Sequence, residues 1–226
     1  MADQTPRIKR KLSATGSLAA EYFDRLYARC ADPWDFETSP YEAAKYAATL
    51  AALPRPRYAN PLELGCSIGV LTQLLAQRCE RLLATDVSEA ALAQARVRCA
   101  DLPRVIFDRR DISANFPDGR FDLILISEVG YYFSPPDLES LRAKIATVLA
   151  PRGHLLLVHY TGETNYPLAA DAVHETFLAW KGRTWSHLKT NRSDRYRLDM
   201  VENMAEKSEE GICDEAAGQR SARVPM

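Results

Sequence analysis

The run Leu62-Glu63-Leu64-Gly65-Cys66-Ser67-Ile68-Gly69 joins a carboxylate, a short apolar strand and two glycines in the arrangement of a strand end that turns into a helix. Glycines in such a turn let a ligand approach the backbone, and the helix start behind it presents free N–H groups. A dinucleotide turn would read Gly-x-Gly-x-x-Gly, whereas the spacing here is Gly-x-Ser-x-Gly. Glu63 argues the same way, because a carboxylate repels a pyrophosphate but attracts an ammonium or sulfonium group. Glu63, Gly65, Cys66 and Gly69 are therefore expected to line a site for a positively charged nucleoside.

Three further stretches complete that site. Asp86 ends the next strand, roughly 20 residues beyond the turn, where an acidic side chain can accept both ribose hydroxyls. It is followed by Val87-Ser88-Glu89, in which Ser88 is expected to cap a helix. Asp111 follows Val105-Ile106-Phe107 and is placed to accept from an adenine amino group, with Ile112 offering its backbone N–H and an apolar surface. Ser127-Glu128-Val129-Gly130-Tyr131-Tyr132-Phe133 lies outside the carboxyl end of the sheet, where ligands bind in open α/β folds. Ser127, Glu128 and Val129 join the expected cofactor contacts.

These residues need a scaffold that brings several strand ends together. From Pro61 the chain repeats a short apolar strand, a turn and a helix of period 3.6, the pattern of a parallel sheet covered on both faces. Strands are expected at Leu62–Leu64, Arg81–Thr85, Arg104–Phe107, Phe121–Ile126 and Gly153–Tyr160, with helices at Val70–Gln77, Glu89–Arg98 and from Pro136 or Asp137 to Ala150. Ser134-Pro135-Pro136-Asp137 and Pro151-Arg152-Gly153 are the start and stop signals of the last helix. Thr184–Thr190 and Arg195–Val201, flanking Asn191-Arg192-Ser193-Asp194, read as an antiparallel pair closing the sheet edge. Ser17–Ala31 and Ser39–Leu53 have helical spacing and would cover the open end of the sheet. The fold class is thus α/β, a doubly wound, mostly parallel seven-stranded sheet with an N-terminal helical lid.

The bulk numbers bound the partners. A chain of 226 residues with 46% hydrophobic content closes one sizeable core, and a second full domain would leave both halves small. The expected organisation is a flexible tail at 1–16, one domain at 17–204 (lid 17–60, core 61–204) and a disordered tail at 205–226. With 29 basic and 30 acidic side chains, the net charge of −1 offers nothing to nucleic acid or an anionic membrane, so neither is an expected partner. The apolar runs are strand-sized, and Arg7-Ile8-Lys9-Arg10-Lys11 is followed by Ser, Thr and Gly rather than the apolar stretch of a secretory signal. The 5 cysteines (Cys30, Cys66, Cys79, Cys99, Cys213) include no Cys-x-x-Cys and the 4 histidines no His-x-x-x-His, so free thiols in a reducing cytoplasm and no metal are expected; the expected state is a monomer.

Taken in order, Glu-x-Gly-x-Ser-x-Gly, Thr85-Asp86-Val87-Ser88, Asp111-Ile112 and Phe121-Asp122-Leu123-Ile124 resemble the class I S-adenosylmethionine-dependent methyltransferases over about Pro61 to Tyr160. The resemblance implies a Rossmann-like fold and S-adenosylmethionine as cofactor, with S-adenosylhomocysteine as product. Ser67 stands where that family usually has its middle glycine.

Asp32-Pro33-Trp34-Asp35-Phe36-Glu37-Thr38-Ser39-Pro40-Tyr41-Glu42, with Ser127-Glu128-Val129-Gly130-Tyr131-Tyr132 and Gly153-His154-Leu155-Leu156, resembles the rhizobial nodulation protein S family from about Leu18 to Val201. That family is implied to N-methylate the free amine at the non-reducing end of a deacetylated chitooligosaccharide, a precursor of the lipochitin signal sent to legumes. An oligosaccharide is then the implied partner.

Methyl transfer to an amine is a direct displacement, aided chiefly by alignment. Glu128 and His159 are the expected catalytic residues, as a modest proton acceptor or as orienters of the amine. Trp34, Tyr41, Tyr131 and Tyr132 are expected to bind substrate, because aromatic faces cover sugar rings and attract cations. Asp122 reads equally as a strand-start hydrogen-bond partner. The rivals are an amine methyltransferase for another metabolite, an NAD-dependent oxidoreductase and a non-catalytic binding module.

Overall fold

The computed structural model describes residues 11–179 and 185–205. Seven strands form one sheet: β1 (Pro61–Leu64), β2 (Leu82–Asp86), β3 (Val105–Arg109), β4 (Phe121–Ser127), β5 (Leu149–Tyr160), β6 (Trp185–Arg192) and β7 (Tyr196–Asn203). Their spatial order is β3-β2-β1-β4-β5-β7-β6, parallel except for β7, which runs antiparallel to both β5 and β6. The chain winds outward from β1 toward β3 and then restarts beyond β1 at β4. A crevice therefore opens between β1 and β4 at their carboxyl ends.

Alternation along each strand divides the core in two. Leu62, Leu64, Ile124, Ile126, Leu155 and Leu157 face α5 (Pro135–Val148) and α6 (Ala170–Leu178), where Leu138, Leu141, Ile145, Val173 and Phe177 meet them. Leu123, Leu125, Leu156 and Val158 face the opposite side, against Tyr46 and Ala52 of α2 (Pro40–Ala52) and Leu71 and Leu75 of α3 (Val70–Leu75). All of these strand residues are at most 1% exposed, and each such side chain contributes about 1.5–3 kcal/mol on burial. α4 (Glu89–Arg98) covers β2 and β3, and α1 (Ala20–Arg29) lies across α4 at the mouth of the crevice.

Several boundaries differ from the sequence expectation. α3 stops at Leu75 and tightens into a 3-10 turn at Ala76–Arg78. β5 begins at Leu149 rather than Gly153, and Asn203 ties its start by donating to the Leu149 and Ala150 carbonyls. Asn191 and Arg192 belong to β6, so the hairpin turn is confined to 193–195, where the Ser193 hydroxyl accepts from the Arg195 and Tyr196 N–H groups. Thr184 and the expected C-terminal tail beyond 205 lie outside the described residues. α6 was not expected, although Ala170, Val173, His174 and Phe177 recur at helical spacing and are all buried. Asp122 takes its structural role, accepting from the Ala59 and Asn60 N–H groups as the chain enters β1.

Candidate active site

A cavity of about 810 Å³ fills the crevice. Its floor is the glycine turn, its walls are the ends of β2 and β4 and the Asp111-Ile112 segment, and Tyr27, Trp34 and the segment around Lys11–Glu21 close over it. Of the expected cofactor residues, Glu63, Gly65, Cys66, Asp86, Val87, Asp111, Ile112, Ser127, Glu128 and Val129 all line it. Gly69 does not. It packs α3 onto α4, where an added Cβ would lie 2.9 Å from the Ala95 Cβ, and its φ of +80° starts the helix. Gly65 is the residue that permits close approach: at φ +73°, a Cβ there would sit 2.0 Å from Val129 Cγ2.

Asp86 is the pin of the floor. Its two oxygens accept from the backbone N–H of Ser67 (2.8 Å) and Ser88 (2.9 Å), which locks the glycine turn to the β2–α4 connection. With Val87 also contributing a backbone hydrogen bond, accepting capacity remains for a ligand hydroxyl. Ser88 stands at the helix start but makes no side-chain capping bond; its hydroxyl is buried without a partner, and its N–H is the one Asp86 accepts from. Ser67, at φ +51°, adopts a conformation that costs about 1–3 kcal/mol outside glycine and is held there by the Tyr27 hydroxyl at 2.5 Å.

Glu63 is 2% exposed, and burial pushes its carboxyl up to about 8. Its Oε2 has no hydrogen-bond partner. An enclosed carboxyl oxygen left unsatisfied on a cavity wall is an acceptor that a cationic N–H group would satisfy. Asp111 spends one oxygen on the N–H and hydroxyl of Ser113 and stays at the cavity edge.

A second cavity of about 170 Å³ opens beside the first, and Trp34, Tyr41, Tyr131 and Tyr132, all four expected substrate residues, line it. Tyr131 stacks on Tyr166 with ring centroids 5.0 Å apart, and Tyr132 meets both rings edge-on. The Arg195 guanidinium lies 4.1 Å from the Tyr41 ring centroid.

Glu128 lines both cavities and forms the wall between them. Its φ is +59°, so the end of β4 turns sharply to aim this side chain. Oε1 accepts from Lys45 Nζ at 2.5 Å, and Oε2 accepts from the Tyr131 hydroxyl (2.5 Å) and the Tyr160 N–H (3.0 Å). Lys45, 1% exposed, also pairs with Glu42 at 2.9 Å. Burial alone would lower the lysine, but Glu128 and Glu42 more than offset it and hold it above its ordinary range. Burial raises Glu42. Glu42 and Lys45 were not singled out in the sequence. Their spacing of three on α2 was visible, but the partner that gives them meaning lies 83 residues away from Lys45.

His159 does not face the crevice as expected. It is fully buried on the opposite side of β5, where Nε2 accepts from the Gly130 N–H (3.0 Å) and Nδ1 meets His174. Burial drives it well below the ordinary histidine range. A one-residue register difference along a strand moves a side chain to the other face, and His159 shares the face of Leu155 and Leu157.

The sheet order with its antiparallel seventh strand, the acidic glycine turn and the crevice between β1 and β4 define a class I methyltransferase fold. Within it, this chain belongs to the nodulation protein S (NodS) family, whose family model matches residues 22–161. Nodulation protein S of Rhizobium tropici is 33% identical over 129 residues, covering 55% of this chain and 53% of that protein. The chain spans 53, 58 and 59% of the length of three curated NodS relatives, from Rhizobium tropici, Bradyrhizobium diazoefficiens and Sinorhizobium fredii. The crystal structure of N-methyltransferase NodS from Bradyrhizobium japonicum WM9 with S-adenosyl-L-homocysteine superposes at a TM-score of 0.72. It is 23% identical, and the match covers 81% of this chain and 98% of that one. A Pseudomonas syringae protein named as a candidate methyltransferase is 37% identical over 72% of this chain and 99% of its own, at a TM-score of 0.62.

Proposed function

We propose that this protein is an S-adenosylmethionine-dependent N-methyltransferase that modifies the free amine at the non-reducing end of a deacetylated chitooligosaccharide in nodulation-factor biosynthesis. The carrying observation is the position of Glu128 on the wall shared by a nucleoside-sized cavity and an aromatic cavity. In this reading residues 17–60 are a cover for a core at 61–204, and the protein works in the cytoplasm as a monomer.

S-adenosylmethionine, when bound, supplies an electrophilic methyl on a sulfonium. Glu63 and Asp86 hold its charged and ribose ends, and Asp111 with Ile112 its adenine. Glu128 orients the acceptor. Oε2 already receives two hydrogen bonds and Oε1 one, so a single lone pair remains for an amine N–H. With three of its four accepting positions already taken and its side chain fixed by Lys45, Tyr131 and the Tyr160 N–H, Glu128 is built to align the nitrogen. That refines the expectation of a proton acceptor. Alignment of this kind is worth on the order of 7–11 kcal/mol in well-held systems.

The aromatic cavity is smaller than the ~300–1,000 Å³ that encloses a complete small ligand. It suits one terminal sugar, with the rest of the chain outside. The same volume favours a second reading, a small metabolite amine as acceptor. Mass spectrometry after incubation with S-adenosylmethionine and partly deacetylated chitooligosaccharides, with polyamines in parallel, separates the two. A 14 Da gain on the terminal glucosamine supports the proposal; methylated polyamine with untouched oligosaccharide overturns it.

Two cofactor-side results are expected. Asp86→Ala weakens S-adenosylhomocysteine binding by about 1–3 kcal/mol, since polar partners are left unpaired, and isothermal calorimetry reads the change. Unchanged affinity removes Asp86 from the ribose. Glu63 gives a pH dependence with a definite sign. Its carboxyl is raised to about 8, so its neutral form stabilises the unliganded protein fully below the ordinary carboxylate range. That contribution is lost as pH rises through 8. A cationic ligand favours the ionised form, so affinity rises with pH up to about 8, and binding at pH 7 releases a proton. Calorimetry in buffers of different ionisation enthalpy measures the release, which Glu63→Gln abolishes.

A further inference from the structure

The turn that carries Glu128 rests on a chain of enclosed groups that methyl transfer leaves unused. Gly130 N–H donates to His159 Nε2 at 3.0 Å, His159 Nδ1 lies 3.1 Å from His174 Nε2, and His174 Nδ1 lies 2.6 Å from Asp199 Oδ2. Both imidazoles are fully buried and Asp199 is 1% exposed. None of the three lines either cavity.

Only one proton arrangement satisfies every contact. A backbone N–H can only donate, so His159 Nε2 is bare and the neutral ring carries its proton on Nδ1. His174 Nε2 must then accept, which places the His174 proton on Nδ1, facing a carboxylate that can only accept. Burial keeps both histidines neutral. Burial pushes Asp199 up, but bonds from His174 and Thr190 more than offset it and hold it at about 2. Arg197 Nε donates to the same Oδ2 at 2.7 Å.

The chain reaches the site through two contacts. Gly130 has no slack, since a Cβ there would lie 2.4 Å from Val173 and 2.9 Å from His159 Nε2. The Tyr131 ring packs edge-on against His159 at 5.3 Å, and its hydroxyl holds Glu128. Glu128, at φ +59°, needs such support, because a strained residue persists only where its surroundings over-determine it.

We propose that Asp199, His174 and His159 form a polarity relay that positions the Glu128–Tyr132 turn, with Asp199 selecting the one His159 tautomer that accepts from Gly130. These are positioning residues, since none touches substrate or cofactor. The kinetic arm of the test rests on the N-methyltransferase reading, and the spectroscopic arm does not.

The first measurement is nitrogen NMR of the imidazoles in the wild-type protein, where both rings carry their proton on Nδ1. A proton on Nε2 of His159 overturns the relay. The second is a pair of substitutions. His159→Gln preserves the polarity, its amide oxygen accepting from Gly130 and its NH2 donating to His174. His159→Leu abolishes it. Turnover on a glucosamine oligomer with S-adenosylmethionine stays within about threefold of wild type for His159→Gln and falls about a hundredfold for the folded His159→Leu, with both KM values little changed. Folded His159→Leu with wild-type turnover overturns the proposal. If that variant does not fold, His174→Leu cuts the relay one link further out and is held to the same outcomes. If no glucosamine oligomer is methylated by the wild type, the functional reading fails, and the relay still stands or falls on the tautomers and on whether the Gly130 amide resonance is kept in His159→Gln.

Discussion

Lys45→Met destabilises the protein by about 3–5 kcal/mol, the cost of stranding a buried charge, and lowers Tm by roughly 10 °C. Lys45 is 1% exposed and is the cation between Glu42 and Glu128, whose side chains are 8% and 13% exposed. Methionine fills the same volume, so little of the loss is packing. Two carboxylates lose their shared partner at once, and the backbone strain at Glu128 loses one of its restraints. Glu42→Gln added to Lys45→Met removes one stranded charge and recovers part of the loss. Urea denaturation followed by tryptophan fluorescence measures both. A loss below about 1 kcal/mol for the single variant means that solvent reaches the cluster and the three residues are not the rigid wall inferred here.

Glu128→Gln lowers turnover on the order of 10²–10³-fold while S-adenosylhomocysteine affinity stays within about threefold. The amide has the shape of the carboxylate but only one accepting atom. Turned one way, its NH2 confronts the Lys45 ammonium; turned the other, it confronts the Tyr131 hydroxyl and the Tyr160 N–H. The first orientation removes the lone pair available to the acceptor amine, and the second leaves the Tyr160 N–H facing a donor and re-aims the side chain. Single-turnover rates and calorimetric affinity separate the two effects. Equal losses in both would move Glu128 to the cofactor side of the wall.

The strained backbone positions point to the same region. Of the four non-glycine residues at positive φ among the described residues, Asp35, Ser67 and Glu128 line one or other cavity, and Arg152 lies elsewhere. Strain at Ser67 answers the departure from the family's usual glycine: the position still needs a left-handed conformation, and the Tyr27 hydroxyl supplies what glycine would not have required.

What was legible in the sequence follows from local physics. Apolar runs bounded by turn residues placed every parallel strand within a few positions, and the strand–glycine–helix pattern with Asp86 and Asp111 beyond it, together with the stretch after β4 that begins at Ser127, marked ten expected cofactor residues that do line the large cavity, out of eleven. Gly69 was the exception, because a glycine that admits a ligand and one that admits a neighbouring helix carry the same signature. The four aromatics were identified by chemical type, and the fold brought them to one cavity. α6 carried a readable period and was passed over between two stronger signals.

The remainder was decided by which chain segments the winding brings together. His159 points away from the crevice because strand register sets the face of a side chain, and residue type alone carries no register. The Glu42–Lys45–Glu128 wall joins α2 to the end of β4, and the Asp199–His174–His159 chain joins β7, α6 and β5, elements far apart in the chain that meet only in the tertiary fold. A sequence states which groups can carry charge or a proton. Whether a carboxylate is a free base or a held wall depends on which partners exclude water from it, and only packing in three dimensions chooses them.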